Sequence, residues 1–229
     1  MTRYLFKILS LGLMFIGLLL VFNALLPIIS YEIFTSGNFQ RIDLLSPVGQ
    51  GVVAGSSTEK TENTPIDYTK PANWFVGLPR VSQETTAQIK YYNLSIPRLG
   101  IKDAVVEIDG EDLKKSLIHF KGTAVPGRPG NTVVFGHSTL PQLFKPDNYI
   151  SIFSTLSTLK KGDVIKVNYD GINYTYKVED MFEVKPTEVE VMDQMYDDSY
   201  ISLITCVPPG TYLRRLVVRG RLVPPGGNR

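Results

Sequence analysis

The sequence predicts an all-β domain, closed as a barrel or stacked as a sandwich, with one or two short helices and a membrane-spanning helix ahead of it. Three observations predict this. An apolar run carries no charge between Lys7 and Glu32. About eight short apolar or alternating segments follow between Tyr91 and Val223, punctuated by Gly, Pro and an Asp-Gly pair. Helical periodicity is scarce in that same stretch.

Taken in order, residues 1–7 form a short basic terminus with Arg3 and Lys7, and residues 8–31 form the span. At about 1.5 Å per residue, twenty-odd residues cross the roughly 30 Å of bilayer hydrocarbon. Basic flanks stay in the cytoplasm, so the amino terminus is expected inside and everything after the helix outside. A cleaved signal peptide is the alternative, but Pro27-Ile28-Ile29-Ser30-Tyr31 offers no clear cleavage site.

Residues 32–90 read as a stalk. Gly49-Gln50-Gly51, Gly55 to Lys60, Pro65, Pro71 and Pro79 interrupt any periodicity, and such a stretch buries too little apolar surface to fold alone. Trp74, Phe75 and Val76 are exceptions, able to pack on the domain, to occlude its groove, or to form a sticky patch in the linker. Packing is the expected outcome.

Residues 91–223 suit one compact domain. The expected strands are Leu94-Ser95-Ile96, Ala104 to Ile108, Asn131 to Phe135, Val164 to Tyr169, Ile172 to Val178, Met181 to Val184, Tyr200 to Thr205 and Arg215 to Leu222. Asp170-Gly171 between two alternating runs signals a hairpin. Asp109 to Ile118 and Ile150 to Leu159 carry the helical pattern. Residues 224–229 form a polar tail with no second apolar anchor.

Function is legible from Cys206, the chain's only cysteine, which ends the run Ile201 to Thr205. A lone cysteine outside the cytoplasm cannot form an internal disulfide, so its thiol is either buried and inert or kept for chemistry. Acyl transfer through a thioester needs a thiolate, a proton donor for the leaving amine, and a positive group where a carbonyl oxygen becomes negative. Of the two histidines, His137 follows an apolar strand and a glycine, where it can project into a groove, whereas His119 ends an expected helix. Arg214 and Arg215 are adjacent, and alternation puts them on opposite faces of a strand without saying which face is the groove.

The ordered fragments Leu94-Ser95-Ile96-Pro97-Arg98-Leu99-Gly100-Ile101, Thr123-Ala124-Val125-Pro126-Gly127 to Asn131, Gly136-His137, Leu203-Ile204-Thr205-Cys206 and Arg215 to Gly220 resemble the sortases, cell-wall transpeptidases of Gram-positive and other single-membrane bacteria. The resemblance implies an eight-stranded sortase-type barrel. It implies Cys206 as acyl-thioester nucleophile, His137 as proton donor and acceptor, and Arg215 as oxyanion or substrate stabiliser, with Arg214 the second choice. His119 is then a surface or supporting group. Thr205 and the loop residues Pro208, Pro209 and Gly210 are the implied substrate-binding positions. The implied reaction cleaves an LPXTG-like sorting signal between Thr and Gly and transfers the protein to an amine of a cell-wall precursor or a pilin lysine. The implied partners are secreted proteins with a C-terminal sorting signal, and the implied location is the cell membrane, single-pass, with the catalytic domain extracellular.

Two alternatives stand beside this. One is an inactive anchored domain that binds peptide signals. The other is a cysteine transpeptidase of the L,D type, whose Ser-His-Gly-Cys-like signature differs from Leu203-Ile204-Thr205-Cys206. A net charge of +2 with mixed signs supplies no basic stripe for nucleic acid. One cysteine and two histidines make no zinc site, no other cofactor is expected, and no acidic cluster, Glu188 and Glu190 included, is specific enough for calcium.

Overall fold

The computed structural model describes residues 2–41, 67–75 and 89–224. The Gly49 to Lys60 part of the expected stalk, Val76, Pro79 and the tail from 225 lie outside the described residues.

Helix α1 spans Thr2–Ser30, contains Pro27, and exposes its apolar side chains all round. Its run is long and apolar enough to cross a membrane. It continues through a wider turn at Tyr31–Thr35 into strand β1, Gln40–Arg41.

The strands of the domain are β2 (Tyr91–Ile96), β3 (Ile101–Ile108), β4 (Leu117–His119), β5 (Gly130–Phe135), β6 (Val164–Tyr169), β7 (Ile172–Val184), β8 (Ser199–Val207) and β9 (Arg214–Leu222). They run in the order β7-β6-β2-β3-β4-β5-β8-β9, and β9 pairs back onto β7, so eight strands close a barrel. Strand β1 adds to β7 in parallel, Gln40 against Phe182 and Arg41 against Glu183.

The count of eight is reached differently from the sequence reading. Ile172 to Val178 and Met181 to Val184 form one long strand, with a register shift between Val178 and Asp180 opposite β9. Strand β4 is the addition, inside the segment expected to be helical. There the Leu113 amide donates to the Thr69 carbonyl and Leu117 to His119 lies between β3 and β5, so sheet partners outcompete a weak helical period. Ile150 to Leu159 holds tight turns and one 3-10 turn, Leu156–Thr158. Its hydroxyls bind nearby backbone, Ser154 Oγ accepting from the Thr139 amide and Ser151 Oγ from the Lys145 amide. Such competition disfavours an α-helix. At the expected hairpin, Asp170 and Gly171 both take positive φ, 53° and 71°, as a tight two-residue turn demands.

The barrel interior holds Leu94, Ile96, Val106, Leu117, Val134, Ile165, Leu203, Leu216 and Val218. Period-two alternation turns Val133, Phe135, Ile204, Cys206 and Val217 outward, into a second apolar cluster. Strands β5 and β8 are buried on both faces. Neither shows strict apolar–polar alternation, as expected of a doubly covered parallel pair, and the buried polar side chains Ser202 and Asn131 satisfy each other across it, Ser202 donating at 2.8 Å. The outer cover comes from Val184, Val191 and Met192 and from the segment bearing Trp74 and Phe75.

Candidate active site

Three adjacent strands set the site. β5 and β8 run parallel, with Phe135 opposite Ile204, and carrying that register two residues further brings His137 beside Cys206. β8 and β9 run antiparallel, with Cys206 directly opposite Arg215. Neighbouring strands lie about 4.8 Å apart, and residues in register share a face. His137, Cys206 and Arg215 therefore form a row across the outer face of the barrel, with the thiol in the middle.

Gly136 makes this possible at the β5 end. A Cβ there would lie 2.4 Å from a Phe153 ring carbon and 2.7 Å from Leu117 Cδ2, so only glycine lets the strand end lie flat on the core. The carbonyl of His137 accepts from the Phe153 amide at 3.0 Å. Thr205 sits on the opposite face of β8 from Cys206, is buried, and donates to the Gly136 carbonyl at 2.7 Å. It holds the end of β5 from behind, which corrects its expected place in the groove. Ser138, not singled out in the sequence, donates to the Cys206 carbonyl at 2.6 Å.

The two arginines separate as alternation requires. Arg215 is buried beside Cys206. Arg214 points to the other side, where Nε donates to Glu183 at 2.6 Å and Nη2 pairs with Glu32. Tyr31 donates to the same buried Glu183 carboxylate at 2.7 Å. Arg214 thus ties the end of helix α1 to the barrel, and only Arg215 faces the thiol.

The expected stalk returns over this row. Asp67 to Phe75 crosses the site as a strap: Tyr68 stacks on Tyr212 at 4.0 Å, and the Trp74 indole N–H donates to the Tyr68 carbonyl at 2.7 Å. Trp74 is fully buried, its ring 5.5 Å from the Arg215 guanidinium carbon and 5.8 Å from the His137 ring. One indole therefore touches both neighbours of Cys206, and the thiol is 2% exposed. Trp74 and Phe75 both pack on the domain and occlude its groove, two outcomes the sequence reading held apart. Arg215 donates through Nη2 and Nε to the Trp74 carbonyl at 2.6 and 3.1 Å, and through Nη1 to the carbonyls of Tyr212 and Arg214. A planar fork gripping a peptide carbonyl is the geometry that would hold a substrate carbonyl in the same place.

Burial sets the electrostatics. It pushes the Cys206 thiol up to about 11, against a smaller downward pull from Arg215. It also pulls His137 below the ordinary imidazole range, helped by the Lys114 charge and opposed by Asp112 and Asp67. With the strap down, thiol and imidazole both rest neutral at pH 7. Burial lowers Arg215 as well, opposed by the Cys206 charge. A buried guanidinium bonded to carbonyls favours any negative charge that develops beside it.

Pro208 and Pro209 are buried at the start of the β8–β9 loop, and Gly210, at φ 81°, packs near Leu140. His119 differs from expectation: it lies in β4, buried, with Nδ1 3.2 Å from the Tyr92 hydroxyl. It belongs to the core, on the side of the barrel wall away from Cys206, because the segment before it is a strand and not a helix.

A closed eight-stranded barrel with a thiol between an imidazole and a guanidinium defines a class of cysteine acyl-transfer domain. The chain belongs to the sortase family of transpeptidases, since the profile described as Sortase domain matches residues 94–223. It is 31% identical to Sortase A of Bacillus anthracis over 193 residues, covering 77% of this chain and 87% of that protein. It is 25% identical to Sortase A of Streptococcus agalactiae over 219 residues, covering 92% and 81%. Among solved structures, sortase C-1 of Actinomyces oris superposes with a TM-score of 0.53 at 30% identity, covering 60% of this chain and 76% of that one. Sortase A of Corynebacterium diphtheriae gives 0.52 at 27%, covering 62% and 64%.

Proposed function

We propose that this chain is a membrane-anchored transpeptidase that cleaves an LPXTG-like sorting signal between Thr and Gly and joins the released carboxyl to an amine of a cell-wall precursor or a pilin lysine. The observation that carries this is the row His137, Cys206, Arg215, with Arg215 already gripping a peptide carbonyl. Helix α1 holds the enzyme in the cell membrane with its amino terminus inside and the barrel outside. Residues 32–90 connect the helix to the catalytic domain, residues 91–223, with Gln40–Arg41 paired to β7 and Asp67 to Phe75 forming the strap.

The steps follow from the residues. When the strap lifts, a sorting peptide takes its place and its threonine carbonyl replaces that of Trp74 on Arg215. The Cys206 proton passes to His137, the sulfur bonds to the threonine carbonyl carbon, and the oxygen carries its negative charge against Arg215. The C–N bond to glycine breaks as His137 protonates the departing amine. An acyl-thioester remains on Cys206. A second amine gives its proton to His137 and attacks the thioester, and the sulfur leaves as the thiol recovers its proton. Pro208, Pro209 and Gly210 shape one wall of the groove, where peptide preference is set.

The test is intact-mass analysis of the full chain in detergent with an LPXTG-type peptide. An adduct equal to the peptide up to its threonine, absent from Cys206→Ala and from His137→Ala, is expected. A thiol that alkylates readily but forms no adduct with related motifs would favour an inactive peptide-binding domain.

A further inference from the structure

The anchor and the barrel do not meet only through Arg214 and Glu183. A cleft of about 420 Å³ separates the last turns of α1 from the barrel, with Asn23, Leu26 and Pro27 on one wall and Pro141, Ser154 and Pro209 on the other. The depth of that cleft along the helix is informative. From Lys7 to Leu26 at about 1.5 Å per residue is about 28 Å, nearly the full hydrocarbon thickness. Loops packed beside Asn23 to Pro27 therefore lie at the level where hydrocarbon gives way to headgroups.

The side chains there have the amphipathic character of that layer. The barrel wall of the cleft is lined by Ser154, Thr155 and Ser157 together with Pro141 and Pro209. Phe34, 74% exposed, lines it, and close by in the chain stand large apolar side chains that a water-facing surface does not need: Ile33 is 65% exposed, Leu143 61% and Leu213 63%. Leu143 follows the cleft residues Pro141 and Gln142, and Leu213 precedes Arg214, which is paired with Glu32 at the end of the anchor. The patch is thus continuous with the apolar surface of α1.

We propose that the catalytic end of the barrel docks on the outer leaflet, with Ile33, Phe34, Leu143 and Leu213 dipping into the headgroup layer and a membrane lipid filling the cleft beside α1. This rests on α1 being the spanning anchor. The Glu32, Arg214, Glu183 and Tyr31 contacts fix the orientation, so the barrel stands on the bilayer at a set angle. Cys206, at the same end of β8 as this loop, is then held close to the membrane surface, suited to a peptide bond just outside the membrane and not to one far out in the wall.

The experiment measures depth directly. Full-length Cys206→Ala protein is reconstituted into phosphatidylcholine/phosphatidylglycerol bilayers with one spin label at a time, at Leu13→Cys, Leu143→Cys, Leu213→Cys or Tyr196→Cys. Accessibility to oxygen is compared with accessibility to a water-soluble nickel chelate. Tyr196, exposed near the far end of β8, is the aqueous reference, about 26 Å from the catalytic end by strand rise. The expected result is an oxygen-to-nickel accessibility ratio severalfold above that of position 196 at both 143 and 213, with position 13 deeper still. A deep position 13 with 143 and 213 matching 196 overturns docking while leaving the anchor intact. An aqueous position 13 overturns the anchor and docking with it.

Discussion

Replacing Trp74 by alanine should unmask Cys206. The indole is fully buried, lies against Arg215 and His137, and belongs to a strap otherwise held by Tyr68 on Tyr212 and by the Trp74 carbonyl on Arg215. Truncating a buried tryptophan costs about 3–5 kcal/mol. Some of this falls within the strap itself, through the indole bond to Tyr68, so about 2 kcal/mol is a fair share for strap against barrel. At about 1.4 kcal/mol per tenfold, that shifts the closing equilibrium by about thirtyfold. The assay is the rate of Cys206 alkylation by iodoacetamide, followed by intact mass, beside thermal unfolding of the same samples. If opening is fast, the rate scales with the open fraction and with the thiolate fraction. The first should rise about tenfold or more. The second should rise too, because the burial that pushes the thiol up to about 11 is relieved on opening. The wild-type rate should keep climbing with pH until about 11, whereas the variant's should level off at lower pH. Equal rates and equal pH profiles, with both proteins folded, would refute the gating role of the strap.

Arg215→Lys should lower peptide cleavage by about a hundredfold or more, the usual loss when one oxyanion donor is removed, because an ammonium cannot reproduce the two-pronged grip on a carbonyl. The KM-against-kcat split reads this out, with kcat expected to fall more than KM rises. Gly136→Ala should destabilise the barrel by about 1–3 kcal/mol through its clash with Phe153 and Leu117, measured by denaturant unfolding, and should also slow cleavage by displacing His137. Arg214→Met should leave cleavage of a soluble peptide nearly unchanged but loosen α1 from the barrel, seen as faster proteolysis around residues 31–41, because it removes the one cation that bridges Glu183 and Glu32, leaving Tyr31 on Glu183 and Arg41 on Glu32. His119, held down to about 4 by burial, favours its neutral form in the fold, so its contribution is fully present above pH 6.5 and is lost as pH falls toward 4. His119→Gln should flatten that acid limb of the stability profile, a change of up to about 3 kcal/mol in urea titrations.

Much of the site was readable because its chemistry is local. Cys206 stood out as the only thiol, His137 as the histidine at a strand end after glycine, and Asp170-Gly171 as a turn. What failed was local in another way. The period over Asp109 to Ile118 suggested a helix, but Leu117 to His119 found strand partners on both sides, and His119 went into the core with them. Propensity is a weak prior against a sheet edge awaiting a neighbour. Trp74 and Phe75 were conspicuous as aromatics in a polar stretch, yet nothing in their spacing could say what they covered.

The sequence by itself determined the order of parts: an apolar span, an interrupted connector, a β domain, and within it a thiol, an imidazole and two arginines on short strands. Those features rest on composition and on periods of a few residues, which the chain displays directly. Only the tertiary structure decided that Arg215 and not Arg214 faces the thiol, that Thr205 works from behind, and that the connector returns to seal the groove. Each of these depends on register between strands far apart in the chain, and a shift of one residue in that pairing would turn every side chain to the other face.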